Sequence, residues 1–214
     1  MDKISVIIRN RNEEEFIGTA IQSVVDYFDN PEIVVIDNQS TDESMKVVSL
    51  FDRYNIVTHS INGMYTPGRS INLGVQICSN DIILILSAHS QITRSRLSRV
   101  QQDLENHVAV FGNQIPIYKG KRITKRYVWS HFNKTREQNL YSKIEDRYFL
   151  HNAFCFYKRQ TLLDNPFNEK LSGKEDRYWA IDMVDKGYTY LYDGLNHECN
   201  HFWTTYGATW KGIG

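Results

Sequence analysis

Two alternating patterns of apolar residues organise the first 90 positions of this chain of 214 residues. Short apolar runs rich in β-branched residues predict buried strands, and they occupy residues 4–9, 32–37 and 81–87. A weaker strand is predicted at residues 55–60. Between them, apolar residues recur every three or four positions, the spacing of an amphipathic helix, over residues 10–28, 44–51 and 68–80. This alternation predicts a mostly parallel, Rossmann-like α/β sheet flanked by helices.

The second half of the chain is less regular. Strands are predicted at 108–118, 151–158 and 188–194, and helices at 94–106 and 172–187. Residues 119–147 are polar and aromatic and predict no clear element. No linker or change in composition interrupts the chain, so residues 1–214 are predicted to form a single domain.

Three helix starts are predicted from capping residues. Asn12 precedes three glutamates and is expected to cap the first helix. Residues 40–43 and 172–175 each have the spacing of a capping box. In the second box, Glu175 is expected to serve the helix terminus, which leaves Asp176 available for chemistry.

Charge and composition exclude several classes of function. The formal net charge is zero and the pI is about 7.1, so no basic field favours nucleic acid. The three cysteines form no C-x-x-C pair and fit a reducing, cytoplasmic setting. The sequence shows no signal peptide and no apolar run of about 20 residues, the length of a membrane span.

Polar residues follow three of the four predicted strands in the first half. Because ligands bind beyond the carboxyl ends of parallel strands, we expect these residues to line one site. They are Arg9, Asn10, Arg11 and Asn12, then Asp37, Asn38 and Ser40, then Ser87 and His89. The chain lacks the G-x-G-x-x-G dinucleotide motif, the G-x-x-x-x-G-K-[ST] phosphate loop and the G-x-S-x-G hydrolase elbow.

Four ordered motifs carry a resemblance to a known family. They are SVIIRNRNEEEFIGTAIQSV, EIVVIDNQSTDES, YTPGRSINLGVQICSNDIILILSAHS and NEKLSGKEDRYWAIDMVDKGY. The chain resembles the family-2 glycosyltransferases with the GT-A fold, especially a bacterial rhamnosyltransferase-like branch that builds surface polysaccharides. The resemblance implies an inverting enzyme that moves a sugar from a nucleoside-diphosphate sugar to a glycan or lipid-linked acceptor, in capsule, O-antigen or similar biosynthesis. It implies a nucleotide-binding half at 1–90 and an acceptor-binding, catalytic half at 91–214.

The resemblance also implies roles for individual residues in donor binding. Asp37 would accept a hydrogen bond from the pyrimidine imide, and Arg9 and Asn10 would contact the base and ribose. Arg69 would offset the charge of the diphosphate. The remaining positions assigned to the nucleotide sugar are Asn12, Asn72, Ser87 and Asn152, of which Asn72 could instead brace its own motif.

The pair Glu175–Asp176 matches the family's Glu-Asp motif. The resemblance makes Asp176 the group that takes the proton from the acceptor hydroxyl, and Glu175 its catalytic-site neighbour. The alternative is that both carboxylates only occupy the first turn of a helix, where acidic residues are stabilising.

The sequence departs from the family at the end of the fourth strand. The family usually has Asp-x-Asp there, which binds Mn²⁺ or Mg²⁺ on the diphosphate, and this chain has Ser87-Ala88-His89. His89, with His201 from a later segment, is the candidate metal ligand pair. The alternative is that His89 bonds a phosphate directly or joins a polar network, so the metal requirement stays open.

The sequence is also compatible with two other functions. Residues 197–201 read HECNH, a literal H-E-x-x-H zinc-protease motif with Glu198 as base. The motif needs a helix, whereas turn residues precede it, β-branched and aromatic residues follow it, and no third ligand lies downstream. The other alternative is a non-catalytic module that binds a sugar nucleotide or glycan, for which the missing carboxylate at Ser87 is the best argument.

Residues 119–126, KGKRITKR, contain five basic residues. They form either a solvated loop or a contact with anionic lipid or a lipid-diphosphate acceptor. The second interpretation would place the protein peripherally at the inner face of the bacterial cytoplasmic membrane. Family members commonly run longer, so a truncation after TWKGIG stays open.

Overall fold

An eight-stranded mixed sheet forms the centre of the computed structural model, which describes residues 3–123 and 131–204. Six helices and six further strands surround it in the described ranges. In chain order the elements are β1 (Ile4–Asn10), α1 (Ile17–Tyr27), β2 (Glu32–Asp37), α2 (Ser44–Ser49), β3 (Ile56–Ser60), α3 (Pro67–Ile77), β4 (Ile82–Ser87), β5 (Ser90–Arg94), α4 (Leu97–Asn106), β6 (Ala109–Phe111), β7 (Asn113–Tyr118), β8 (Lys121–Arg122), β9 (Arg136–Gln138), β10 (Tyr141–Ser142), β11 (Arg147–Tyr148), β12 (Phe154–Lys158), α5 (Arg159–Asp164), α6 (Glu175–Asp185), β13 (Tyr190–Asp193) and β14 (Glu198–Phe202).

The strand order of the main sheet is β3-β2-β1-β4-β12-β6-β13-β9. The first four strands are mutually parallel, and β6 and β13 are parallel to each other. Strand β12 runs antiparallel between β4 and β6. Its amino end therefore lies at the same sheet edge as the carboxyl end of β4, where the amide of Ser87 donates to the carbonyl of Ala153 at 3.1 Å.

A second sheet, β5-β14-β7-β8, lies beside this edge. Strand β14 pairs antiparallel with β5 and parallel with β7. His201 in β14 thereby lies opposite Ser90, one residue after His89. The two-stranded sheet β10-β11 is separate.

The central strands of the sheet are buried on both faces, whereas the edge strands β3 and β9 are exposed. Val6 and Ile8 point to the face covered by α1, α2 and α4, and Ile7 points to the face covered by α3 and α6. All three side chains are inaccessible to solvent, and each contributes about 1.5–3 kcal/mol through burial. Helix α3 packs especially closely, since a Cβ on Gly74 would lie 2.7 Å from the side chain of Ile7. This double coverage explains why the central strands β1, β2 and β4 are mostly apolar runs.

The predicted α/β organisation is confirmed, with differences in the second half. Residues 108–118 form two strands of different sheets, β6 and β7. The chain passes between them at Gly112, where a Cβ would lie 2.7 Å from the Phe154 ring. Strands β5 and β14 and helix α5 were not predicted. No helix in the described ranges is both long enough and apolar enough to span a bilayer.

The three predicted helix caps are wrong. Asn12 has φ 53° and lies in a loop, and α1 begins only at Ile17. Ser40 bonds Asp37, and α2 starts later, after Glu43. Glu175 is the first residue of α6, which follows Lys174 in a left-handed conformation and has no capping side chain. Instead of capping helices, Asn12 accepts from the Thr41 amide, Ser40 donates to Asp37 and Glu175 lies beside Arg9.

Candidate active site

Asn10 and Asp37 meet at the carboxyl ends of β1 and β2, as the sequence predicted. The Asp37 carboxylate accepts bonds from Asn10 Nδ2 at 2.9 Å, Ser40 Oγ at 2.6 Å and the Ser40 amide at 3.0 Å. Asp37 is 4% exposed. Asn10 Oδ1 is buried and has no partner among the described residues. The result is a fixed carboxylate with an adjacent unsatisfied acceptor.

The loop after β1 continues from this pair. The backbone amide of Asn12 donates to Ser40 Oγ at 2.9 Å, and Asn12 Oδ1 accepts from the Thr41 amide at 2.8 Å. Asn12 therefore ties the loops after β1 and β2 together.

Arg9 and Glu175 form a second group at the same edge. Arg9 Nη1 lies 3.4 Å from Glu175 Oε1, and Asn152 Nδ2 lies 3.5 Å from the same oxygen. Burial and the neighbouring Asp176 charge raise the pKa of Glu175, while Arg9 opposes that shift. Burial alone would lower the pKa of Arg9, but Tyr65, Glu175 and Asp176 raise it above its ordinary value. Arg9 therefore remains a cation.

Asp176 is held by donors that were not predicted. Its Oδ2 accepts from the backbone amide of Asn152 at 3.0 Å and from Arg177 Nη1 at 3.1 Å. Its Oδ1 accepts from the backbone amide of Arg177 at 2.9 Å. Arg177 is itself fixed by the carbonyl of Leu150 at 2.8 Å and lies over the Phe149 ring at 4.1 Å. A carboxylate has about four acceptor positions, so Asp176 is rigidly oriented and keeps one acceptor position on Oδ1.

His89 and His201 stack on each other with ring centroids 4.9 Å apart and planes inclined by 19°. His89 Nδ1 lies 2.8 Å from Glu13 Oε1, and His201 Nδ1 lies 2.9 Å from Gln114 Oε1. The two histidines that were expected to share a site are therefore adjacent. Glu13 was predicted only as a helix-terminus residue, and Gln114 was not singled out.

His151 completes this group. Its Nδ1 lies 3.1 Å from Gln114 Nε2 and 3.2 Å from the Ala153 amide nitrogen. Burial, followed by nearby Arg177, Arg9 and His89, lowers the pKa of His151 well below its ordinary value. Burial, His89 and His151 do the same to His201. Both rings are therefore neutral near pH 7. The only sequence signal for His151 was its position immediately before Asn152.

Two other predicted donor-binding residues, Arg69 and Asn72, form hydrogen bonds with the protein backbone. Arg69 donates to the carbonyls of Met64 at 2.9 Å and Asn62 at 3.1 Å, and so orders the loop before α3. Asn72 makes two 2.9 Å bonds with the backbone of Phe167 and so links α3 to that segment, while its part in donor binding stays a prediction. Ser87 lies at the carboxyl end of β4, 9% exposed.

The described residues contain one group of three acidic or histidine side chains whose ligand atoms lie within 4.8 Å of one another, namely Asp103, Asp193 and His197. This group could hold a metal by geometry. Arg136 already contacts Asp103 at 2.6 Å and Asp193 at 3.1 Å, and Arg99 contacts Asp103 at 3.1 Å. Two guanidinium groups thus neutralise the two carboxylates, and the donor set does not favour a cation.

The chemistry of His89 and His201 fits a metal better. Each ring has its Nδ1 against a side-chain oxygen. Metal-binding histidines are usually oriented in this way, by a partner of the nitrogen that does not coordinate the metal. Ser87 adds no charge, so a cation here would need further ligands from a bound molecule.

A cavity of about 700 Å³ opens beside Glu13. It lies between the loops after β1 and β2, the β7–β8 turn and the end of β14. Its lining includes Asn12, Glu13, Phe16, Asp42, Tyr118 and Trp203.

The sequence model of one family, glycosyl transferase family 2, matches residues 5–170. The chain belongs to this family. An uncharacterized glycosyltransferase of Rickettsia typhi is 29% identical over 107 residues, covering 50% of this chain and 35% of that protein. The poly(ribitol-phosphate) β-N-acetylglucosaminyltransferase TarS of Staphylococcus aureus strain Mu50 is 24% identical over 209 residues, covering 89% of this chain and 35% of TarS. The chain thus spans about a third of the length of these relatives.

Solved structures confirm the GT-A fold. TarS residues 1–349 in complex with UDP-GlcNAc superpose with a TM-score of 0.73 and 20% identity, covering 96% of this chain and 60% of that one. GalNAc-T7 with UDP, GalNAc and Mn²⁺ gives a TM-score of 0.75 and 12% identity, covering 97% and 45%. At these identities the likeness shows the fold alone. The rhamnosyltransferase-like branch stays a prediction.

Proposed function

We propose that this family-2 chain transfers a sugar, with inversion, from a nucleoside-diphosphate sugar to a glycan hydroxyl. The observation that carries the proposal is the oriented Asp176 carboxylate at the same sheet edge as Asn10 and Asp37. One end of this edge offers fixed acceptors for a base, and the other offers a carboxylate that three donors hold in place.

The donor would lie along the carboxyl edge of the sheet. The Asp37 carboxylate and the unpaired Asn10 Oδ1 are suited to accept from the imide of a pyrimidine and from a ribose hydroxyl. Arg9 would supply positive charge nearby. The TarS structure contains UDP-GlcNAc, which supports UDP-sugars as the first donors to test.

Chemistry would be a single displacement. The acceptor oxygen forms a bond to the anomeric carbon while Asp176 Oδ1 takes its proton. The bond from that carbon to the diphosphate breaks on the opposite face, and the electron pair leaves with the diphosphate. Glu175 and Asn152 would orient the sugar beside Arg9.

The leaving diphosphate needs positive charge. His89 and His201 would hold a divalent cation, Mn²⁺ or Mg²⁺, together with the nucleotide. When bound, the cation would supply this charge, and the tight His89–Glu13 contact would keep one ligand ring in place. The GalNAc-T7 structure contains Mn²⁺, which supports Mn²⁺ as the first ion to test.

The acceptor would be a bacterial surface glycan, such as a capsule, O-antigen or teichoic acid chain, which the likeness to TarS supports. A lipid-linked acceptor at the inner face of the cytoplasmic membrane would be met by the basic segment 119–126. Lys121 and Arg122 in β8 are exposed, and residues 124–126 lie outside the described residues.

The zinc-protease alternative is not supported by the structure. Residues 198–202 form strand β14, and four residues of extended chain span about 13 Å, whereas the motif needs one helical turn. His197 lies against Ser95 at 3.2 Å and His201 against Gln114.

The decisive experiment incubates the protein with UDP-sugars, GDP-sugars and a glycan acceptor and measures nucleotide release and product linkage. A cognate donor at 100 times its Kd should stabilise the fold by about 2.7 kcal/mol. Transfer that inverts the anomeric configuration and is lost in Asp176→Asn supports the proposal. Donor binding without transfer to any acceptor would favour the non-catalytic alternative.

A further inference from the structure

Gln114 and His151 lie beside the candidate ligand His201 and have no part in the proposed reaction. Gln114 is completely buried in β7, and both ends of its amide face a histidine ring. A buried amide is costly unless its donor and acceptor groups are both satisfied. The arrangement therefore fixes which end of the amide faces which ring.

The orientation begins at a backbone amide, whose role as donor cannot change. The Ala153 nitrogen lies 3.2 Å from His151 Nδ1. His151 Nδ1 therefore accepts, and the proton of the neutral ring sits on Nε2.

The next link follows from the first. Because His151 Nδ1 is an acceptor, the amide group that faces it at 3.1 Å is the Gln114 NH₂. The Gln114 carbonyl oxygen then faces His201 Nδ1 at 2.9 Å, and that nitrogen must donate. The His201 proton consequently sits on Nδ1, and the lone pair sits on Nε2.

We propose that Ala153, His151 and Gln114 form a relay that fixes the tautomer of His201. In this tautomer, His201 Nε2 can bind a cation but cannot donate a hydrogen bond to a phosphate. Gln114 and His151 are positioning residues that act through His201. The use of the lone pair for a metal rests on the proposed function, whereas the tautomer itself does not.

The two stacked histidines differ in the side chain that faces Nδ1. His89 faces a carboxylate, Glu13, which accepts from Nδ1 in any orientation. His201 faces an amide, which can turn. Among the described contacts, the link to His151 holds the amide in one orientation.

The test reads the histidine tautomers directly by long-range ¹H–¹⁵N correlation spectroscopy on protein labelled with ¹⁵N-histidine, with His201 assigned through His201→Gln. In the parent protein, His201 should show a protonated Nδ1 and an unprotonated Nε2. Gln114→Leu and His151→Phe should each reduce this tautomer, while Gln114→Glu, which still presents an oxygen, should retain it.

A matched control is available one strand away. Gln91 in β5 accepts from Asn200 at 3.1 Å, next to His201 in the chain, but no described hydrogen bond joins it to the ring. Gln91→Leu makes the same change in side chain and should leave the His201 signals unchanged. A general loosening of the sheet would instead affect both glutamine variants.

The second readout is Mn²⁺ affinity, measured by titration with UDP present. Loss of a partner that orients a metal ligand typically lowers affinity about 10–100-fold, and this range is expected for Gln114→Leu but not for Gln91→Leu. A parent His201 protonated on Nε2, or a tautomer unchanged in Gln114→Leu, would overturn the relay. A confirmed tautomer without Mn²⁺ binding in any variant would support the relay and overturn only the proposed metal role.

Discussion

At the scale of single residues, the site depends on carboxylates whose positions are fixed by several donors. Asp37 and Asp176 each accept three described hydrogen bonds. A carboxylate that is already oriented loses little freedom when it binds a base or takes a proton. The same bonds mean that large substitutions at these positions would disturb the fold as well as the chemistry.

Asp37 tests donor binding. Asp37→Ala would leave the partly buried Ser40 amide without its carboxylate acceptor, at about 1–3 kcal/mol, and would remove one of the acceptors of Asn10 Nδ2. The conservative change is therefore Asp37→Asn. We expect UDP to bind roughly tenfold more weakly or worse, the effect of about 1.4 kcal/mol, in calorimetry. Asp26→Asn on the exposed side of α1 is the control. Unchanged UDP affinity in Asp37→Asn would remove Asp37 from the site.

Asp176 and Glu175 test the proton acceptor. Asp176→Asn removes the proton acceptor and should lower kcat by about 10²–10⁴-fold without changing the Kd for UDP. Glu175→Gln removes a buried charge beside Asp176 and should have a much smaller effect on kcat. Steady-state rates and UDP calorimetry separate the two. If Glu175→Gln abolishes turnover and Asp176→Asn does not, the roles are reversed.

Substitutions at His89 test whether the site binds a divalent cation. We expect Mn²⁺ to bind only together with UDP, because imidazole nitrogens suit it less well than carboxylates do, and we expect EDTA to lower activity. His89→Ala should raise the Mn²⁺ concentration needed, whereas His89→Asp should preserve or strengthen binding. His107→Ala, beside Thr189, is the control. Full activity in excess EDTA would show that Arg9 or another cation offsets the diphosphate charge.

At the scale of elements, the sequence predicted the strands whose residue pattern is set by their own local sequence. Strands β1, β2 and β4 are mostly apolar runs, and the limits of β1 to β4 were predicted to within one residue. Strand β14 was missed because its polar residues are buried by partners on β5 and β7 rather than by an apolar face. The site residues at the ends of β1, β2 and β4 could be predicted, because their positions follow from the parallel sheet alone.

The rest of the site could not be predicted because its contacts join distant segments. Glu13 meets His89 across 76 positions, and Gln114 meets His201 across 87. No local pattern reports such a pair. The capping box assigned to Glu175 was wrong as well. Helix α6 follows Lys174 in a left-handed conformation and has no capping side chain.

A substitution at Gly112 tests how closely the chain is packed where it passes from β6 to β7. A Cβ there would lie 2.7 Å from the Phe154 ring and 2.9 Å from His197 Cβ. Gly112→Ala should therefore lower the free energy of unfolding by about 1–3 kcal/mol, the usual cost of overpacking. Gly173→Ala, which would meet nothing within 4 Å, is the matched control in urea denaturation. Equal stability of the two variants would show that the passage can adjust.

At the scale of the whole molecule, stability is linked to pH through buried neutral histidines. Burial lowers the pKa of His197 from 6.5 to about 4, with Asp193 opposing and Arg94, Arg99 and Arg136 adding to the effect. A lowered folded-state pKa gives stability that is present above pH 6.5 and is lost as the pH falls toward 4.

Melting temperatures between pH 7.5 and pH 4.5 would check this linkage. The parent protein should become less stable as the pH falls, and His197→Gln should show a shallower decline. Some decline should persist, because the pKa values of His151 and His201 are also lowered. An identical slope in the variant would mean that His197 takes up its proton without opening the fold.

The reversed strand β12 has a consequence for biosynthesis. Residues 82–87 emerge from the ribosome long before residues 154–158, yet β12 is the strand that covers the free side of β4. Until then β4 is an aliphatic edge strand with unpaired backbone groups, the kind of surface on which chains aggregate. The first 90 residues therefore do not form a self-sufficient module, and shielding of the nascent chain has to last until the second half arrives.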